Sequence, residues 1–224
     1  MNRIHFVVLL AVATLGSACA TSSETGALAG GGGGALIGGG IGALAGGKKG
    51  ALIGAALGGV TGGVSGALIG RYMDKQKEAL DRDLKSGYVE KQGNKLVVKF
   101  NSGILFDTDQ SQLKPEAQKD LAEFARVLRE YPDTNLTIQG HTDSTGSKEH
   151  NLTLSAERAK AVVDYLVSSQ VERRRLVSQG LGEAGASASN ATEEGRKQNR
   201  RVEIHIDANE ELKKADAENA ANKA

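Results

Sequence analysis

One cysteine, four histidines and a net charge of +1 in 224 residues leave little material for several common chemistries. A single cysteine excludes a disulfide framework within the chain. The balance of 28 basic against 27 acidic residues gives no global field of one sign, so nothing points to nucleic acid. The histidines, at 5, 141, 150 and 205, are scattered. His141 therefore reads as a strand-end residue, because no second ligand is spaced to complete a metal centre with it. An activated serine or cysteine, a zinc cluster or a carboxylate pair with an evident mechanism is not discernible either. No catalytic residue, metal or cofactor is expected, and the chain reads as a non-enzyme.

Glycine is abundant and very unevenly placed. Of 30 glycines, 20 fall between Gly26 and Gly70, a stretch with no acid and only Lys48 and Lys49 as bases. Every fourth residue there is glycine, and Gly-Ala-Leu-Ile-Gly recurs at 34, 50 and 66. This small-xxx-small pattern lets helix backbones approach closely in lipid. In water each glycine costs a helix roughly 1 kcal/mol relative to alanine, so packing must come from neighbours. Gly46 to Gly50, with the two lysines, divides the stretch into arms 26–46 and 50–70, each long enough to cross about 30 Å of hydrocarbon as a helix. A membrane-associated helical hairpin, able to form a homo-oligomer, is expected over 26–70; the alternative is a flexible spacer.

Upstream, Arg3 and the apolar run Ile4–Leu15 read as an export signal over 1–18, too short to span a bilayer. Cys19 follows Gly16-Ser17-Ala18 and resembles the lipobox cysteine of bacterial lipoproteins, although the lipobox has Leu, Val or Ile where Gly16 stands. That resemblance implies a lipidated Cys19 with a short linker over 19–25, and Ala20 after it permits sorting to the outer membrane. Downstream, 71–87 reads as a charged, solvated helical linker with a thin apolar stripe. The tail 208–224 has almost no large apolar residue and is expected to be disordered, frayed or weakly helical.

Residues 88–207 have the mixed composition of one ordinary domain. Leu96–Phe100 reads as a strand, and Ala117, Leu121, Phe124, Ala125 and Leu128 mark a helix that begins at Pro115 and ends before Pro132. Leu136–Ile138 is a strand leading to Gly140. Asn151–Ser169 is a helix expected to bury Leu152, Ala159, Val162, Val163 and Leu166. Leu176–Ser178 and Arg201–Ile206 are further strands, and Arg173-Arg174-Arg175 is a solvated turn before the first of them. The alternation predicts an α+β fold, an α/β sandwich with helices on one face of a small mixed sheet.

The chemistry lies in Gly140-His141-Thr142-Asp143-Ser144-Thr145-Gly146 and Asn151-Leu152-Thr153-Leu154-Ser155-Ala156-Glu157-Arg158-Ala159. An aspartate after a strand and an arginine on the next helix can face one small zwitterion. The carboxylate accepts from an ammonium, and the guanidinium fork matches a carboxylate. A simple ion pair between Asp143 and Arg158 is the plain alternative, worth about 0–1 kcal/mol if exposed. With Asn199-Arg200-Arg201-Val202-Glu203-Ile204 downstream, these strings resemble the OmpA-like C-terminal domain.

That resemblance implies noncovalent binding of peptidoglycan through diaminopimelate of the stem peptide. It assigns Asp143 and Arg158 to the ligand, with Thr142, Asn151, Leu154 and the loop at Asp107 lining the groove. One of Arg200 and Arg201 should face the groove, by strand alternation. The family's proline after Gly-x-Gly-Glu is absent from Gly180-Leu181-Gly182-Glu183-Ala184-Gly185-Ala186, so the segment to Gly195 is expected to be loose. Wall binding is expected to weaken near pH 4, where aspartate ordinarily loses its charge. The whole reads as a lipid-anchored outer-membrane tether facing the periplasm. The alternative is a zipper oligomer, a pore or stator-like assembly that wall binding only positions.

Overall fold

The computed structural model describes residues 66–222. The export signal, the Cys19 lipidation site and the glycine-rich segment up to position 65 lie outside the described residues.

Along the chain the elements are α1 (Ala67–Asp83), β1 (Tyr88–Gln92), β2 (Lys95–Asn101), α2 (Ser102–Leu105), α3 (Pro115–Glu130), β3 (Thr134–Gly140), α4 (Lys148–Ser168), a 3-10 turn (Arg173–Arg175), β4 (Leu176–Gly180), α5 (Glu193–Asn199), β5 (Arg201–Ala208) and α6 (Glu210–Ala221). The five strands form one mixed sheet in the order β1-β2-β5-β3-β4. Only β3 and β4 run parallel, with α4 as their crossover; the other neighbours are antiparallel.

Strand alternation sorts the two faces. Leu96, Val98, Phe100, Leu136, Ile138, Val202, Ile204 and Ile206 join helix residues Met73, Leu80, Leu121, Phe124, Leu128, Val162 and Leu166 in one core. Burial of each large apolar side chain contributes about 2 kcal/mol, so this layer holds helices and sheet together. Lys99, Glu203 and His205 alternate onto the other face. The expected α+β sandwich, with helices on one sheet face, is the observed fold. Pro115 sits in the first turn of α3, and Ser147 caps α4 by accepting from His150 N at 3.2 Å.

Four expectations need correction. Leu152 is 40% exposed, because its position on α4 points away from the sheet. Residues 71–87 are more than a solvated linker: Met73, Gln76 and Leu80 of α1 are fully buried, and the helix crosses the expected boundary at position 70. The tail forms α6, where Asp216 is fully buried and accepts from Gly66 N, Leu68 N and Ile69 N at 3.1, 2.8 and 3.3 Å. The arginine turn is only partly solvated. Arg175 lies inside, donating to Thr134 O, Leu128 O and Tyr131 O at 2.7, 2.8 and 2.9 Å. No helix among the described residues is long and apolar enough to cross a membrane.

Candidate functional site

Three polar residues spaced four and three apart on one face of α4 each tie down a different loop. Asn151 donates from Nδ2 to Asp143 O at 3.2 Å and Thr145 O at 3.0 Å, fixing the loop after β3. Ser155 Oγ accepts from Gly182 N at 2.8 Å, fixing the turn after β4. Arg158 donates from Nε to Gln110 O at 2.8 Å and from Nη2 to Asp107 O at 3.3 Å, fixing the turn between α2 and α3. The helix can do this because it lies very close to the sheet. A Cβ on Gly140 would stand 2.1 Å from Ser155 O, and one on Gly180 would stand 2.5 Å from Ala156 N. These paired glycines at the ends of parallel strands let α4 seat.

Asp143, Arg158, Asn151, Leu154, Asp107 and Thr142 all line one open cavity of about 630 Å³. Asp143 Oδ1 accepts from Thr145 N at 2.8 Å, and Oδ2 pairs with Arg200 Nη1 at 2.5 Å. Its ion-pair partner is thus Arg200, and the simple Asp143–Arg158 bridge is not what the structure shows. A carboxylate offers about four acceptor positions, so each oxygen retains capacity for a further donor. Burial pushes the Asp143 carboxyl upward, but hydrogen bonds from Arg200 and Thr145 outweigh it and hold the group below its ordinary value.

Arg158 is 5% exposed, with its guanidinium carbon 5.2 Å from the Phe106 ring centroid. Burial lowers its basicity, partly offset by the fields of Asp109 and Asp143. Its contacts with Gln110 and Asp107 use Nε and Nη2, two of the three nitrogens in a group with five N–H donors.

Of the two candidate arginines, Arg200 faces the groove, where it also binds Glu193 Oε1 at 2.6 Å. Arg201 turns to the other side, pairing with Glu203 at 2.7 Å and donating to Gly185 O at 3.0 Å. His141 is buried behind the site, its Nδ1 3.3 Å from Ala184 O, and burial drops its pKa to about 4. The segment before Gly195 is ordered by Asn199, whose side chain bonds Ser187 N, Ala188 N and Ala188 O at 2.8, 3.0 and 2.9 Å. Glu193, Lys114 and His150 line the cavity as well, without having been expected to from the sequence. Their spacing carries no periodic signal, since they arrive from separate loops and helix ends.

Residues 105–200 match the OmpA family and residues 1–74 match the YMGG-like Gly-zipper family. The chain carries an OmpA-family domain. It is 41% identical over 114 residues to the protein named probable lipoprotein YiaD of Escherichia coli K12, a match covering 51% of this chain and 52% of that protein. It is 47% identical over 103 residues to the peptidoglycan-binding protein ArfA of Mycobacterium tuberculosis H37Rv, covering 46% of this chain and 32% of ArfA. The matches therefore span about half of one relative and a third of the other. Among solved structures, the cell wall anchor of the T6SS from Pseudomonas aeruginosa superposes with a TM-score of 0.51 at 27% identity, covering 62% of this chain and 96% of that one. The OmpA-family segment contains both Asp143 and Arg158.

Proposed function

We propose that the OmpA-family domain holds peptidoglycan noncovalently, by gripping the zwitterionic end of diaminopimelate between Asp143 and Arg158. The observation that carries this is the convergence of a carboxylate and a buried guanidinium on one cavity from two consecutive elements. The cavity wall carries both signs, with Asp107, Asp109, Asp143 and Glu193 interspersed with Lys114, Arg158 and Arg200. An ammonium and a carboxylate on one carbon need such a mixed lining; a simple anion or cation does not. A relative named for binding peptidoglycan and a neighbour named as a cell wall anchor support the wall as the partner.

In the same proposal, Cys19 carries the lipid anchor at the outer membrane, the zipper region 26–70 is associated with that membrane, and the domain faces the periplasm. Likeness to a named lipoprotein supports the anchor. Many copies held at one surface facing a polymeric wall gain avidity even when each contact is weak. The role is attachment, without catalysis.

Wall chemistry supplies the test. Lysine-type sacculi lack the second carboxylate of diaminopimelate, and with it the zwitterionic carbon. The full-length protein in detergent is expected to cosediment with diaminopimelate-type sacculi and to stay in solution with lysine-type sacculi. Equal retention on both would remove diaminopimelate from the recognition.

A further inference from the structure

The turn to which Arg158 donates is held from two sides. Asp107 O accepts from Gln110 N at 3.1 Å, closing the turn, and accepts from Arg158 Nη2 as well. Gln110 O accepts from Arg158 Nε. Between these two carbonyls stands Asp109, with φ of 58°, one of two described non-glycine residues in the left-handed region. Aspartate tolerates that conformation at a modest cost, which a local partner can offset. The partner is His150, in the first turn of α4, whose Nε2 lies 2.7 Å from Asp109 Oδ1. Arg158 therefore meets the turn at its backbone and His150 meets it at its side chain, both from the same helix.

Charge adds to this geometry. A carboxylate only accepts, so a neutral His150 donates from Nε2 and the pair carries one negative charge. Protonation of the ring makes the pair neutral and strengthens the tie. Of the charges acting on Arg158, the field of Asp109 is the largest, so an unneutralised Asp109 competes with any ligand carboxylate for that guanidinium.

We propose that His150 is a positioning residue of the groove: it fixes the Asp107–Gln110 turn behind Arg158, and its protonation tightens the grip on the ligand carboxylate. This rests on the peptidoglycan-binding reading and adds a control to it. Histidine is the side chain that ordinarily changes charge between pH 5 and 8. The other charged groups around it are Lys148 and Glu149 on its own helix, Asp107 and Asp109 on the turn, Asp143 on the loop after β3, Lys114 and Arg158, and Glu193 and Arg200 across the cavity. Carboxylates, lysines and arginines ordinarily keep their charge between pH 5.5 and 7.0, and comparison with a variant lacking the His150 imidazole separates it from the other histidines.

The experiment measures affinity of the full-length protein in detergent for diaminopimelate-type sacculi at pH 5.5 and 7.0, with wild type and His150→Gln. Glutamine can still donate to Asp109 but cannot become charged. Wild type is expected to bind roughly two- to five-fold more tightly at pH 5.5, the scale of an exposed ion pair. His150→Gln is expected to bind equally at both. The same tightening in both proteins, or none in wild type, overturns the role of His150 while leaving wall binding intact. Absence of wild-type retention at both pH values overturns wall binding itself, and this proposal with it.

Discussion

Asp143 keeps its charge further into acid than an ordinary aspartate does. Burial works against the carboxylate, but Arg200 and Thr145 donate to it, and the net shift is downward from 3.8. A depressed folded-state value means that the charge and its contribution to stability are complete above the ordinary aspartate range. Both are lost only as pH falls through the lower folded value. Wall retention is therefore expected to reach half-loss below pH 3.8, lower than a sequence reading without Arg200 suggests. Cosedimentation from pH 5 to pH 2.5, with folding followed by circular dichroism, checks this; half-loss above pH 4 in a folded protein would contradict it. Asp143 and Arg158 were legible in the sequence because their flanking strings are distinctive. Arg200 was not separable from Arg201, because its direction depends on the C-terminal end of α5, a seven-residue helix that carries no clear periodicity. Arg175 looked solvated for a related reason: a run of three arginines says nothing about which one meets the carbonyls of Leu128, Tyr131 and Thr134.

At the scale of elements, β2 to β5 and the helices α3 and α4 followed from alternation and helical spacing, since each buries an apolar face; the edge strand β1, with only Val89 buried, did not. α6 did not, because polar bonding carries much of its attachment. Leu212 and Asp216 are its buried residues, and Asp216 satisfies amides at the start of α1, 150 positions away at its farthest. Gly66, the residue before α1, has no side chain with which to cap those amides itself. A buried carboxylate at a helix N-terminus also meets the positive end of the helix dipole. Asp216→Ala is expected to lower stability by about 2 kcal/mol, as loss of a cap and exposure of unpaired buried donors require. Chemical denaturation with urea reads this directly. An unchanged midpoint and slope would mean that α6 only rests on the domain surface.

For the whole molecule, the core extends from α1 to α6, so the folded unit is larger than the segment 105–200 that defines the family match. Cutting the chain at residue 86 would remove Met73 and Leu80, both fully buried, and leave the sheet's helix layer incomplete. The helix α1, next in sequence to the glycine-rich segment, therefore belongs to the fold and is not a linker. In the proposed reading, Asp143 and Arg158 together hold the wall. That reading is tested most directly by cosedimentation of full-length wild type, Asp143→Ala and Arg158→Ala with diaminopimelate-type sacculi, each protein checked for unchanged unfolding. Wild type is expected in the pellet, and each variant is expected to lose at least about ten-fold in affinity, since removing one partner of a desolvated charge contact leaves the other uncompensated. Equal retention of all three folded proteins would contradict the claim and place the grip elsewhere on the domain.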